Sequence, residues 1–520
     1  MKIKILSTSD VHGYIYPTNF STRDDHHALG YLKAASVIED VQRQAEKDGD
    51  IAIYIEDGDF VEGSPMTDYA YQTRDEKHYN LDLVRMVNHL QADVGILGNH
   101  EFNYGPDYLN PTLADRTYPI LNANMQEDPA SHIIDAPYKI IEKNNIKIAV
   151  LGLTTQYIPH WEQPKHIEGW KFEPAFEAAA KYVPELRKQA DVVIVAYHGG
   201  FERDLQTGEP TEALTGENEG YQIITEVPGI DAFVTGHQHR QIAAKVNGIP
   251  TTQPGFRGEK VGCITLTLDD NKKVVDSSAE LLDVADAGDE MWMNALTYDW
   301  NHDVQDWLDQ RIATIDGDME IHDPMEARLH GHPYLEFVNQ VEMDAMGTDI
   351  AATALFNNEV TGLGHDVTIR NVMNSYVYPN TLVTEAITGK DLRNALERCA
   401  SFFELQPDGS LTVSKDFSYP KMQLYNYDFY SGIDYTFDLT QPKGKRVVEL
   451  KYHDKDVQDT DELKVTMNQY RGVGGGNYDC FSADKIIKQN ETEVPRLLIA
   501  YLENHPNIKA IQPTNLKIIK

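Results

Sequence analysis

At 520 residues the chain is too long for one hydrophobic core and points to two or three domains. Hydrophobic residues at 41% and charged residues at 25% are those of an ordinary globular protein. A net charge of −36 excludes a nucleic-acid polymer or an anionic membrane surface as partner, since both are repelled, and no run of about 18 apolar residues is present to span a bilayer. Cys263, Cys399 and Cys480 lie far apart with no CxxC spacing and read as reduced thiols. The sequence begins directly on a strand-like run with no apolar leader, so a cytoplasmic location is expected, or an exported one if a signal peptide has been removed.

In chain order, five strand-like runs of the first half end alike. Ile3 to Thr8 leads into Asp10-Val11-His12, and Ile51 to Ile55 into Asp57-Gly58-Asp59. Val94 to Leu97 leads into Gly98-Asn99-His100-Glu101, Val192 to Tyr197 into His198-Gly199-Gly200, and Phe233 to Thr235 into Gly236-His237-Gln238-His239. Each run is β-branched and apolar enough to be buried on both faces. Each delivers Asp, Asn or His to a strand's carboxyl end, where open α/β sheets build their sites. One such end is an ordinary turn. Five of them make a ligand set of imidazole, carboxylate and amide oxygen, which suits Zn, Mn, Fe, Co or Ni.

Between these runs, His27 to Glu46 reads as a helix with Leu32, Ala35, Ile38 and Val41 on one face, and Asn80 to Leu90 as another. Ile146 to Leu153 is a further buried strand, but Thr154-Thr155 after it offers no ligand. Thr207 to Gly220 is an inserted loop placed to overhang the rim. The alternation Val261, Ile264, Leu266, Leu268 closes a first domain, residues 1–285. Ala285 to Ile315 favours helix, with Trp292, Leu296, Trp300, Val304, Trp307 and Leu308 spaced as a core face. Asp316 to His332, polar and carrying Pro324, reads as connector and hinge, making 286–332 a helical linker. A second domain, 333–520, holds helices near Tyr334 to Met346 and Gly389 to Phe403. It also holds an aromatic run, Leu424 to Tyr430, and a glycine-rich run, Asn468 to Tyr478. Those two runs either form a slot that stacks a flat ring or contribute tyrosines to the core.

Taken in order, Asp10-x-His12, Gly58-Asp59-x-x-x-Gly63, Gly98-Asn99-His100-Glu101, His198-Gly199 and Gly236-His237-x-His239 resemble the signature of calcineurin-like metallophosphoesterases. Gly58 to Pro65 and Gly98 to Gly105 are similar to the bacterial 2',3'-cyclic-nucleotide 2'-phosphodiesterase/3'-nucleotidase branch of the 5'-nucleotidase family. The resemblance implies an α/β fold: a layered α-β-β-α metallophosphoesterase core plus a separate α/β C-terminal domain of 5'-nucleotidase type, the two rotating about a hinge. It implies two divalent ions (Mn, Zn, Co or Fe), one held by Asp10, His12, Asp59 and His239 and the other by Asp59, Asn99, His198 and His237. It also implies hydrolysis of nucleotide phosphoesters, foremost 2',3'-cyclic nucleotides and 3'-nucleotides. A 5'-nucleotidase or nucleotide-sugar hydrolase is the alternative, and a non-catalytic nucleotide-binding protein the remote one.

Within that resemblance His100 is a catalytic non-ligand, oriented by the residue three positions on. The 5'-nucleotidase branch has Asp there and this chain has Asn103. The family's base clamp matches Tyr425 (or Tyr427) and Tyr478. The segment that corresponds to the family's phosphate-binding Asn-x-Gly-Gly-x-Arg is Phe356-Asn357-Asn358-Glu359-Val360-Thr361, in which the resemblance implies Asn357 as a substrate-binding residue. Its lack of the arginine weakens the case for a 5'-monophosphate.

Overall fold

Ile- and Val-rich runs with few turn-formers become the strands of the first half. Lys2–Thr8, Ile51–Glu56 and Val94–Gly95 lie parallel in one sheet, extended by the antiparallel Lys260–Leu268 and Val274–Asp283. Ile146–Thr154, Val192–His198 and Ala232–Thr235 lie parallel in a second sheet, with Tyr138–Lys143 at one edge and the hairpin Gln241–Val246/Ile249–Pro254 at the other. Ile3, Ile5, Ile53 and Val94 of the first sheet pack with Ile148, Val150, Ile194 and Val234 of the second. On the second sheet's other face, Leu151, Val193 and Val195 meet Val183 and Leu186 of helix Ala175–Leu186 and Ile223 of helix Gly220–Glu226. Helix Tyr31–Asp48 buries Leu32, Ala35 and Ile38 and packs on Lys2–Thr8 and Ile51–Glu56. The order is helix, sheet, sheet, helix. Burial of each aliphatic side chain contributes about 1.5–3 kcal/mol, so the paired faces hold the two sheets together.

Because the strands are parallel, their carboxyl ends fall on one rim of each sheet. Main-chain hydrogen bonds then tie the loops beyond them: Asp57 N–H to Thr8 O at 2.8 Å, Asp10 N–H to Gly58 O at 3.0 Å, and His12 N–H to Asp59 O at 2.8 Å.

This computed structural model describes every residue except Pro379, Pro420, Lys421 and Glu491. The chain divides into two units, Met1–Gln305 and Asp306–Lys520, within helix Met291–Leu308. The second unit is also α/β. Its largest sheet orders Asp428–Ser431, Ala351–Ala354, Glu462–Asn468, Leu382–Thr388 and Ile486–Asn490, with helices such as Pro333–Met346 and Val494–Asn504 in the same hydrophobic core. Among the described residues no helix is long and apolar enough to cross a membrane.

The helix-favouring stretch ends at Leu308, and Arg311–Asp316 is a strand paired with Asp366–Thr368 and Asn507–Lys509. The expected hinge, Asp316 to His332, belongs to the second unit, where Met319, Ala327 and Leu329 are buried in its core. Pro324 is the first residue of helix Pro324–His330, and Asp323 caps it by accepting from Met325 N–H at 2.8 Å. Asp-Pro there starts a helix rather than interrupting one.

Candidate metal centre

Asp10, His12, Asp59, His237 and His239 all have left-handed backbones, with φ between 52° and 68°. Asp and His tolerate this region better than most residues, yet each such residue still costs of order 1–3 kcal/mol. The local sequence alone does not repay that, so the strain marks side chains aimed at something. Gly98 makes room for it, because a Cβ there would stand 2.2 Å from Asp59 Oδ1. Glu101 joins the two loops, accepting from Asp59 N–H at 2.9 Å and Gly98 N–H at 2.6 Å on Oε2, and from Phe60 N–H at 2.8 Å on Oε1.

Two trios of ligand atoms that share no residue result, Asp10, His12 and His239, and Asp59, His198 and His237, with His12, Glu62 and His100 forming a further group that overlaps the first. In the first, Nε2 of His12 and Nε2 of His239 face each other at 3.1 Å, and Asp10 Oδ1 is 3.5 Å from His239 Nε2. In the second, His198 Nε2 is 3.1 Å from Asp59 Oδ2, and His237 Nδ1 is 2.8 Å from Asn99 Oδ1. Asp59 Oδ2 also lies 3.9 Å from His12 Nε2, which puts this one carboxylate beside both groups.

The outer nitrogens fix the tautomers. His12 Nδ1–H donates to Glu62 O at 3.0 Å and His198 Nδ1–H to Asp57 O at 2.5 Å, which turns both Nε2 lone pairs inward. His237 is reversed. Its Nε2–H donates to Glu217 Oε1 at 3.2 Å, freeing Nδ1 for the centre. Partners of this kind are what metal-ligating histidines require. Buried Asp59 Oδ2 and His198 Nε2 face each other at 3.1 Å as an ion pair, and neither makes a hydrogen bond of good geometry among the described residues. Burial pulls His12 down to about 4, against the Asp59 charge, so its ring is neutral and its lone pair available. Burial, then the Asp59 charge, push Asp10 up to about 6 against the pull of His198. Imidazole nitrogens and buried carboxylate oxygens converging in this way are a donor set that suits divalent metal ions.

His100 belongs to neither of these two trios and groups instead with His12 and Glu62, its ring centroid 5.0 Å from that of His12. Its backbone N–H donates to Asp59 Oδ1 at 2.8 Å. Its Nδ1 lies 2.6 Å from Asn103 Oδ1 and 3.0 Å from Glu62 Oε2. Burial opposes charge on this ring, but Asp59 and Glu62 outweigh it and raise His100 to about 10. All seven candidate ligands and the His100–Asn103 pair are thus gathered at one rim. The sequence reading missed Glu62, Glu101, Glu162 and Glu217. Glu217 comes from the loop expected to overhang the rim. Glu162 follows the strand whose end, Thr154-Thr155, offered no ligand.

The second unit overturns part of the expected base clamp. Tyr478 is 1% exposed, donates its hydroxyl hydrogen to Asn426 O at 2.8 Å, and has the Arg471 guanidinium 3.9 Å over its ring. Tyr427 is equally buried and donates to Arg328 O at 2.8 Å. Both are core residues. The glycines before Tyr478 serve packing, since a Cβ on Gly476 would stand 2.3 Å from Asn426 Oδ1. Asn357 Oδ1 closes its own turn, accepting from Glu359 N–H at 2.7 Å and Val360 N–H at 2.9 Å. Half-buried Tyr425 meets Tyr378 and Tyr470 edge-on, each at 6.4 Å between ring centroids.

Four α/β layers with imidazoles and carboxylates converging at the strand ends are the build of a metallophosphoesterase. Residues 3–241 match the calcineurin-like phosphoesterase family and residues 311–483 the 5'-nucleotidase C-terminal domain. A Staphylococcus aureus structure, provisionally named a 5'-nucleotidase and solved with alpha-ketoglutarate, is 40% identical over 100% of both chains, with a TM-score of 0.91. The chain belongs to the calcineurin-like phosphoesterases with a 5'-nucleotidase C-terminal domain. The Haemophilus influenzae 2',3'-cyclic-nucleotide 2'-phosphodiesterase/3'-nucleotidase is 26% identical over 96% of this chain and 84% of its own length. The trifunctional nucleotide phosphoesterase protein YfkN of Bacillus subtilis is 25% identical over 99% of this chain, which spans 39% of that protein.

Proposed function

We propose that this protein is a metal-dependent hydrolase of nucleotide phosphoesters, acting on 2',3'-cyclic nucleotides and 3'-nucleotides. The observation that carries the proposal is the placement of Asp59 Oδ2 beside both ligand trios, 3.1 Å from His198 Nε2 and 3.9 Å from His12 Nε2. One ion is assigned to Asp10, His12, Asp59 and His239, and a second to Asp59, Asn99, His198 and His237, with Mn, Zn, Co or Fe suited to these donors. Bound there, two divalent ions supply Lewis-acid polarisation of the phosphate and a nucleophilic water at neutral pH.

The chain's own residues do the rest. His12 and His198, locked by backbone carbonyls, and His237, locked by Glu217, keep lone pairs on the inner face. His100 keeps a proton on Nδ1 against Asn103 Oδ1, so its Nε2 is the nitrogen that passes a proton to the departing oxygen. Such positioned acid catalysis contributes about 10²–10⁴-fold. Tyr425, with Tyr378 and Tyr470 beside it, is the proposed stacking surface for the base, where a stack stabilises by about 1–3 kcal/mol.

The name of the Staphylococcus aureus relative favours a second reading, a 5'-nucleotidase. Residues 356–361, without an arginine, support the first. Turnover of 2',3'-cyclic AMP, 3'-AMP and 5'-AMP, measured side by side with added Mn²⁺, decides between them. The proposal predicts that the first two exceed 5'-AMP, and a clear preference for 5'-AMP would reject it.

A further inference from the structure

Asn103 presents a difficulty that an aspartate in its place would not. An amide has an accepting end and a donating end of nearly the same shape, and only the accepting end can hold the His100 Nδ1 proton. Turned over, it would set N–H against N–H. Something must therefore fix its orientation.

Glu162 is 7% exposed, and its Oε2 lies 2.7 Å from Asn103 Nδ2. An ionised carboxylate only accepts, so Asn103 must show Glu162 its NH₂ and show His100 its oxygen, 2.6 Å from Nδ1. Glu162 is itself held: Oε1 accepts from Gln163 N–H at 2.7 Å and from His166 Nδ1 at 2.8 Å, and its own N–H donates to Ile158 O at 2.9 Å. His166 packs where Gly105 ends the central motif. A Cβ there would stand 2.9 Å from His166 Cδ2, on a backbone with φ +73°.

We infer that Glu162 is a positioning residue for His100, acting through Asn103: its carboxylate turns the amide so that the His100 proton sits on Nδ1 and Nε2 faces the substrate. This rests on the reading of His100 as acid to the leaving group. As the phosphorus–oxygen bond breaks, the Nε2 proton passes to the departing oxygen, and the ring is left as the Nδ1–H tautomer that Asn103 accepts from. Glu62 Oε2, 3.0 Å from the same nitrogen, favours the same tautomer.

The test is a pair of backgrounds and a pair of substrates. Glu162→Ala should lower kcat on the nucleotide turned over fastest by about tenfold or more, part of what a positioned acid contributes. KM and metal content should hold, and the loss on p-nitrophenyl phosphate, whose leaving group departs without a proton, should be much smaller. In an Asn103→Asp background the sign reverses. Two carboxylates then face each other, so adding Glu162→Ala should raise kcat, and that gain also shows that the double variant folds. Equal losses in both backgrounds, or on both substrates, would reduce Glu162 to a structural residue and overturn the inference. His100→Ala separates the parent reading: if it spared nucleotide turnover, the assignment of His100 as acid would fall, and this inference with it.

Discussion

The polar partners of the ligands decide how the rim works, residue by residue. Glu217 is the clearest case, because His237 reaches the centre through Nδ1, and only a partner on Nε2 keeps the proton off that nitrogen. Loss of such a partner typically weakens metal affinity about 10–100-fold. Glu217→Ala should therefore bind one ion more weakly, by a factor in that range, and leave the other ion's affinity near its original value. Isothermal titration of Mn²⁺ into metal-stripped protein reads both. Equal weakening of both ions, or of neither, would show that Glu217 does not set the His237 tautomer.

At the scale of elements, the rim is a set of loops from separate strands that must be cross-linked to hold one arrangement. Glu101 does this with one carboxylate and three backbone N–H groups, those of Asp59, Phe60 and Gly98. A buried donor left unmet costs about 1–3 kcal/mol. Glu101→Ala should thus lower the melting temperature of the metal-free protein and also weaken metal binding, although Glu101 is in neither trio. An unchanged melt with normal metal affinity would contradict the tie.

The strands and their polar ends were legible in the sequence because buried parallel strands are continuous apolar runs, and the ligand residues follow within a few positions. The loop residues Glu62, Glu162 and Glu217 were not, since a glutamate in an irregular segment is ordinary until its partner is seen. Tyr478 was misplaced because a stacking tyrosine and a core tyrosine look alike in sequence. Its burial, its bond to Asn426 O and the Arg471 cation on its face separate the two. Asp323-Pro324 is ambiguous for a similar reason, since the same pair that reads as a break in sequence caps a helix in the fold.

The whole molecule carries a net charge of −36, so it must also manage acidic groups far from the metal ligands. Glu385, on strand Leu382–Thr388, is buried. Burial raises it from 4.5 to about 8, against Ser482 N–H and Lys485. A carboxyl whose folded value lies above its unfolded one contributes full stability below about 4.5 and loses that contribution as pH rises through about 8. Glu385→Gln keeps the acceptor for Ser482 N–H and has no proton to lose. It should match the parent near pH 4 and melt higher than it at pH 8. A lower melt at pH 8 would show that the ionised form is the one the fold prefers.

The central claim is a centre for two ions that share Asp59. The most direct measurement is metal content by mass spectrometry, taken on parent and Asp59→Asn protein after Mn²⁺ loading and desalting, with nucleotide turnover recorded on the same samples. Two ions per parent chain are predicted, with turnover abolished by exhaustive chelation and restored by Mn²⁺. Asp59→Asn is predicted to weaken both ions and to lose most of the turnover. Full turnover at zero metal, or two firmly held ions with near-normal turnover in Asp59→Asn, would contradict the account.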